Sequence, residues 1–141
     1  MTIMRRASFV LVALLALTLT GVAQGQRTRH RGPIFAGLKS ATTCIPGPIA
    51  MGETTSYYLQ WEAATDRGTP SSKIVYNVYQ ATTAGGEDFS EPTYTTAPGV
   101  TSFDTPQLPS EKYFYFVVRA RDNAGNEDSN TIERQGQNLC V

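Results

Sequence analysis

One histidine, His30, serves the whole 141-residue chain, and it stands in an arginine-rich tract near the amino terminus. A serine or cysteine nucleophile activated by histidine needs that imidazole inside the folded domain, so this chemistry is excluded. Zinc is argued against on related grounds, because Cys44 and Cys140 are the only cysteines and no Cys-x-x-Cys spacing occurs. The same spacing speaks against a redox-active pair. No glycine-rich phosphate cradle and no Asn-x-Ser/Thr sequon is present. The adjacent acids Glu87-Asp88 and Glu127-Asp128 fall in turn-like segments, where such pairs are solvated loop residues rather than a catalytic dyad. Asp122, Asn126, Asp128 and Asn130 offer oxygen donors of the kind calcium takes. Their spacing departs from the twelve-residue calcium loop, and turn propensity accounts for the same residues. The reading is a non-enzyme with no cofactor and no metal.

Basic residues are scarce where the domain lies. From Pro33 onward seven of them (Lys39, Arg67, Lys73, Lys112, Arg119, Arg121 and Arg134) face all twelve acids, a net charge of −5. Nucleic acid rewards clustered lysine and arginine, so an acidic domain excludes it as a partner. The basic tract Arg27-Thr28-Arg29-His30-Arg31 reads as a solvated tail, with contact to an anionic surface as the alternative.

Long apolar runs are confined to the amino terminus. Arg5 and Arg6 precede an apolar stretch from Phe9 to Leu19, followed by small residues at Gly21-Val22-Ala23 and Gly25, the layout of a cleaved secretory signal. The stretch is about half the ~20 residues a spanning helix needs, which argues against a retained anchor. The expected organisation is a signal peptide over 1–26, a short basic linker over 27–32 and one domain over 33–141. No membrane span remains after cleavage, and the protein is expected to be secreted, extracellular or periplasmic. An oxidising compartment makes a Cys44–Cys140 disulfide the default, against two unrelated buried thiols.

Helical periodicity is absent from the domain. Strand patterning takes its place: Phe114, Phe116, Val118 and Ala120 alternate along Tyr113 to Asp122, with the turn residues Asn123-Ala124-Gly125-Asn126 behind them. Earlier strands are expected over Pro33–Thr43, over Thr54–Glu62 with Tyr57, Leu59 and Trp61 on one face and Tyr58 and Gln60 on the other, and over Lys73–Ala81. Weaker ones follow over Phe89–Thr95 and Thr101–Asp104, and a last one over Ser129–Gln135. Strands separated by turn clusters predict an all-β sandwich. The inward alternation converges on Trp61, Tyr76, Phe116 and Val118 as the core.

These residues resemble the fibronectin type III domain, across about Pro33 to Gln135. The resemblance rests on Leu59-Gln60-Trp61, on Tyr76-Asn77-Val78-Tyr79, on Leu108-Pro109 six residues before Phe114, and on the run from Tyr115 to Asn126. It is closest to versions found in secreted bacterial proteins. It implies an immunoglobulin-like two-sheet sandwich. The family usually places a tyrosine at the position of Phe114, its hydroxyl tying the corner to the backbone. That bond is therefore lost here or supplied by Tyr113. The implied topology brings Cys44, after the first strand, and Cys140, after the last, to one pole, where a bridge would join strands of opposite sheets.

Two functional classes follow. One is a secreted interaction module for an extracellular protein or carbohydrate. The other is a structural or surface-decorating domain with no ligand. For the first, the candidate binding face is Tyr79, Tyr115 and Arg119, with Val75 and Val117 beside them, since tyrosine and arginine are frequent at hot spots. Ordinary cross-strand pairing accounts for the same residues. The loops Asp66–Ser72 and Asn123–Asp128 form a rival site.

Overall fold

The computed structural model describes residues 32–140. The expected signal segment 1–26 and residues 27–31 of the linker, His30 included, lie outside the described residues. Ten strands follow in order: β1 (Leu38–Thr43), β2 (Thr54–Thr55), β3 (Tyr58–Trp61), β4 (Val75–Ala81), β5 (Tyr94–Thr95), β6 (Ser102–Asp104), β7 (Leu108–Pro109), β8 (Tyr115–Arg121), β9 (Glu133–Gln135) and β10 (Gln137–Asn138). A single 3-10 turn, Ser71–Lys73, is the only helical element among the described residues. None of these residues forms a helix long and apolar enough to cross a membrane.

Two four-stranded sheets carry the architecture, one ordered β10-β1-β3-β6 and the other β5-β4-β8-β9, with β2 and β7 paired as a separate ribbon. The fold is all-β and sandwich-like. Trp61, Tyr76, Phe116 and Val118 are buried in one apolar cluster with Leu38, Leu59, Ile74 and Val78. Period-2 alternation explains this convergence, since residues i and i+2 of each strand face the same side. Tyr76 holds its place with both ends. Its backbone N–H donates to Thr96 Oγ1 at 3.1 Å, and its hydroxyl oxygen accepts the Ala64 N–H at 2.8 Å.

The first expected strand is shorter than its residues suggest. Gly37 sits at φ 83°, where an L side chain is strained, and a Cβ there would meet Ile132 Cβ at 2.8 Å. Upstream of that bend Ile34 makes only a two-bond bridge to Thr65. The expected second strand divides at Ser56-Tyr57, its first part pairing with β7 and its second with β1. At the corner, Phe114 is buried against Tyr57 with ring centroids 6.0 Å apart, while Tyr113 is exposed and makes no hydrogen bond through its hydroxyl among the described residues. The corner tie is instead made by Ser110, whose N–H and hydroxyl both donate to the Glu53 carbonyl at 2.9 Å.

The carboxy-terminal strand changes sheets. β9 pairs antiparallel with β8, and two residues later β10 pairs parallel with β1 in the opposite sheet. Cys44 and Cys140 therefore end neighbouring strands of one sheet, which corrects the expectation that they bridge strands of opposite sheets. Gly136 is the crossing point. Its N–H donates to the Phe114 carbonyl at 2.8 Å, and a Cβ there would lie 2.3 Å from Tyr57 Cε1. Tyr57 is wedged against Phe114 and Phe116 and cannot retreat. Gly136→Val is expected to cost about 1–3 kcal/mol through overpacking. Urea denaturation measures it, and an unchanged midpoint would mean that the ring moves freely.

Candidate functional site

Tyr79 and Arg119 come together on the outer face of the β4–β8 sheet, and the chain's own loops cover them. Tyr79 is 3% and Val117 1% exposed. The expectation of an open Tyr79–Tyr115–Arg119 face is revised accordingly. The cover is Phe89, from the loop after β4, and Glu127, from the turn after β8. Phe89 meets Tyr79 edge-on at 5.1 Å, and the Arg119 guanidinium lies 3.6 Å from the Phe89 ring centroid and 5.6 Å from that of Tyr79. The Phe89 distance is well inside the ~6 Å range of cation–π attraction, and the Tyr79 distance is near its limit. Arg119 Nε also donates to the Asn130 carbonyl at 2.9 Å, and its Nη1 stands 3.6 Å from Glu127 Oε1.

Glu127 is the hub of this cover. It accepts the Tyr79 hydroxyl at 2.8 Å on Oε1 and 3.0 Å on Oε2, and it also accepts from Asn77 Nδ2. Asn77 in turn accepts from Thr95 at 2.8 Å. On the other side the covering loop is pinned by the Gly85 N–H, which donates to Glu133 Oε2 at 2.6 Å. Glu87 lies beside Glu133, and burial, with the Glu133 charge adding to it, raises its carboxyl above the usual range. Tyr115 stays apart, one row beyond Tyr79 on β8 and half-buried. The sequence marked Phe89 only as the start of a weak strand and Glu127 only as one of a solvated acid pair in a rival loop, and it placed neither over Tyr79. The only signal toward that cover was an aromatic and an acid inside otherwise polar turns.

Burial, together with the Glu127 hydrogen bond and charge, pushes the Tyr79 phenol up to about 12. Because the folded value lies above the ordinary 10.0, the neutral phenol is the form that folding favours. Its contribution to stability is complete below pH ~10 and is lost as pH rises toward ~12. Burial raises Tyr57, Tyr76 and Tyr94 as well, so the test is the difference: ultraviolet titration of Tyr79→Phe should lack a phenolate that the wild type forms near pH 12. Identical high-pH titration curves for the wild type and Tyr79→Phe would contradict the buried contact.

The rival loops are tied to each other. Asp66 Oδ2 accepts the N–H groups of Gly68 and Thr69 at 2.9 and 2.8 Å, and the Asn123 N–H donates to Thr69 Oγ1 at 3.2 Å. Asp122 Oδ1 accepts the N–H groups of Ala124 and Asn126 at 2.9 and 2.8 Å. Asp128 accepts from the Ala120 and Asn130 N–H groups at 2.5 and 2.9 Å. These carboxylates close turns, the role their turn propensity implied. Among the described residues no group of three or more His, Cys, Asp or Glu side chains is placed to hold a metal.

On the opposite sheet Tyr58, Gln60 and Asp104 are exposed. Thr42, Tyr58 and Asp104 stand in one cross-strand row on its outer face, with Ser40, Gln60 and Ser102 in the next. Tyr58 is 42% exposed. A cleft of about 350 Å³ opens there, lined by Thr42, Thr43, Ser56, Tyr58, Asp104, Leu139 and Cys44 of the disulfide. The chain matches no family model, no curated protein and no solved structure.

Proposed function

We propose that the protein is a secreted, non-catalytic interaction module of the fibronectin type III kind, binding an extracellular protein or carbohydrate through the outer face of the β1–β3–β6 sheet. The asymmetry of the two sheets carries this reading. One outer face is sealed by Phe89, Arg119 and Glu127, whereas the other leaves an aromatic and a carboxylate exposed around a cleft. The fold kind draws support from two packed sheets around Trp61 and Tyr76, and the compartment from the disulfide, which persists in oxidising surroundings. The non-catalytic reading draws on loop carboxylates engaged by backbone N–H groups and on the absence of histidine from the domain sequence.

A structural or surface-decorating domain with no ligand is the second reading, and the sealed Tyr79–Arg119 face favours it. Immobilised secreted protein offered its own culture medium and a glycan array separates the two. Saturable retention of a defined protein or glycan supports the module. No retention from either source leaves the structural reading.

A further inference from the structure

We infer that the Thr42–Tyr58–Asp104 row is a binding site for a neutral glycan, an inference that rests on the interaction-module reading. The backbone sets the geometry. The Trp61 N–H donates to the Thr101 carbonyl at 3.0 Å, and the Thr105 N–H to the Tyr57 carbonyl at 3.0 Å. Tyr58 and Asp104 are therefore an intervening non-hydrogen-bonded pair, the arrangement that brings opposed side chains closest. Thr42 faces Tyr58 from the other side, and Leu59, next along β3, is buried, so the row points away from the core. Among the described residues neither the Tyr58 hydroxyl nor the Asp104 carboxylate has a hydrogen-bond partner. That distinguishes Asp104 from Asp66, Asp122 and Asp128, which close turns.

The chemistry suits a sugar. An aromatic ring offers an apolar face to the C–H side of a pyranose and a hydroxyl at its tip. The carboxylate accepts sugar hydroxyls in charge-assisted hydrogen bonds, Thr42 donates or accepts beside it, and Ser56, whose hydroxyl already donates to the Thr105 carbonyl at 2.7 Å, can accept. The cleft, about 350 Å³, sits at the small end of the range for ligand sites. The row of Ser40, Gln60 and Ser102 lies next to it on the same face, and β6 is the sheet edge, so a longer chain has room to run past it. Neither row contains a lysine or arginine, and Asp104 and the acidic domain disfavour anions. Protein interfaces surround their anchors with apolar contact, whereas Tyr58 has hydroxyls, an amide and a carboxylate along its two rows, with Leu139 as the one large aliphatic side chain lining the cleft.

The test is an array of neutral oligosaccharides built on glucose, xylose, mannose, galactose and N-acetylglucosamine, printed beside sulfated and uronic glycans. Wild type, Tyr58→Ala, Asp104→Asn and the control Tyr113→Ala are compared, with calorimetric titration of each neutral oligosaccharide retained. The expected result is retention of a neutral glycan, weakened at least about tenfold by Tyr58→Ala and severalfold by Asp104→Asn. Tyr113→Ala, on a tyrosine 70% exposed outside the row, should leave it unchanged. Added salt should also leave it unchanged, because no charge is neutralised. If Tyr58→Ala fails to fold, Asp104→Asn and amide-shift mapping of the wild-type protein decide, with shifts expected at Tyr58 and Asp104.

Binding of anionic glycans only, or equal binding by all variants, overturns the inference. Retention of a medium protein that Tyr58→Ala abolishes, with no glycan bound, overturns the glycan and keeps the module. No ligand of either class overturns both.

Discussion

Trp61→Ala is expected to lower the stability of the fold by about 3–5 kcal/mol and to move the urea midpoint accordingly. The indole is 2% exposed, its ring lies 5.1 Å from that of Tyr76 at a tilt of 47°, and its Nε1 donates to the Val100 carbonyl at 3.2 Å. Truncation removes the ring and its packing and leaves the Val100 carbonyl without that donor. It also leaves a cavity between two sheets whose backbones are held apart by their own ladders. Removing a large buried aromatic costs about 3–5 kcal/mol, against a total stability of roughly 5–15 kcal/mol for an ordinary domain. Urea denaturation followed by circular dichroism measures the loss, and Trp61→Phe should recover part of it by refilling the space. Because Trp61 is the only tryptophan, native emission should be blue-shifted and should move red on unfolding. Water-like native emission, or an unchanged urea midpoint in Trp61→Ala, would remove Trp61 from the core.

What was legible in the sequence, and what was not, divides along local and distant information. The inward set of Trp61, Tyr76, Phe116 and Val118 follows from alternation within single strands. Each strand carries that signal by itself. Alternation also placed Tyr79 and Val117 on the outer side of their strands, which is correct. It could not reveal what lies above them. The cover comes from Phe89 and from Glu127, the latter 48 residues from the tyrosine it binds, and nothing in a strand's pattern encodes where a loop folds back. Gly136 was similarly silent. Its necessity comes from the Tyr57 ring, 79 positions earlier, and from a change of sheet that the two residues of β10 are too short to announce. Tyr58 was legible as outward-facing. Its partners Thr42 and Asp104 depend on the register of β1 and β6, which the sequence does not display.

Reduction of the Cys44–Cys140 bond is expected to lower the melting temperature by roughly 15–30 °C while leaving the fold intact. The two Cα atoms lie 4.6 Å apart and the cysteines are 96 residues apart in sequence. A loop of that length, by the chain-entropy account, corresponds to about 4–5 kcal/mol of denatured-state constraint. Local contacts around it are thin. β10 pairs with β1 over two residues, the Leu139 N–H donates to the Thr43 carbonyl at 3.0 Å, and Asn138 exchanges two hydrogen bonds with Ile45 at 3.0 and 3.1 Å. These bonds are exposed and carry little without the covalent link. The apolar cluster around Trp61 contains neither cysteine, so the sheets should stay packed after reduction. Peptide mapping of secreted protein under non-reducing conditions should find one cross-linked pair, and Cys44→Ser with Cys140→Ser should reproduce the reduced melting temperature. Amide exchange should accelerate first at 137–139, the segment the bond holds against β1. Free thiols on both cysteines in native material would refute the bond, and a shift under about 5 °C would refute its account as a long-loop constraint.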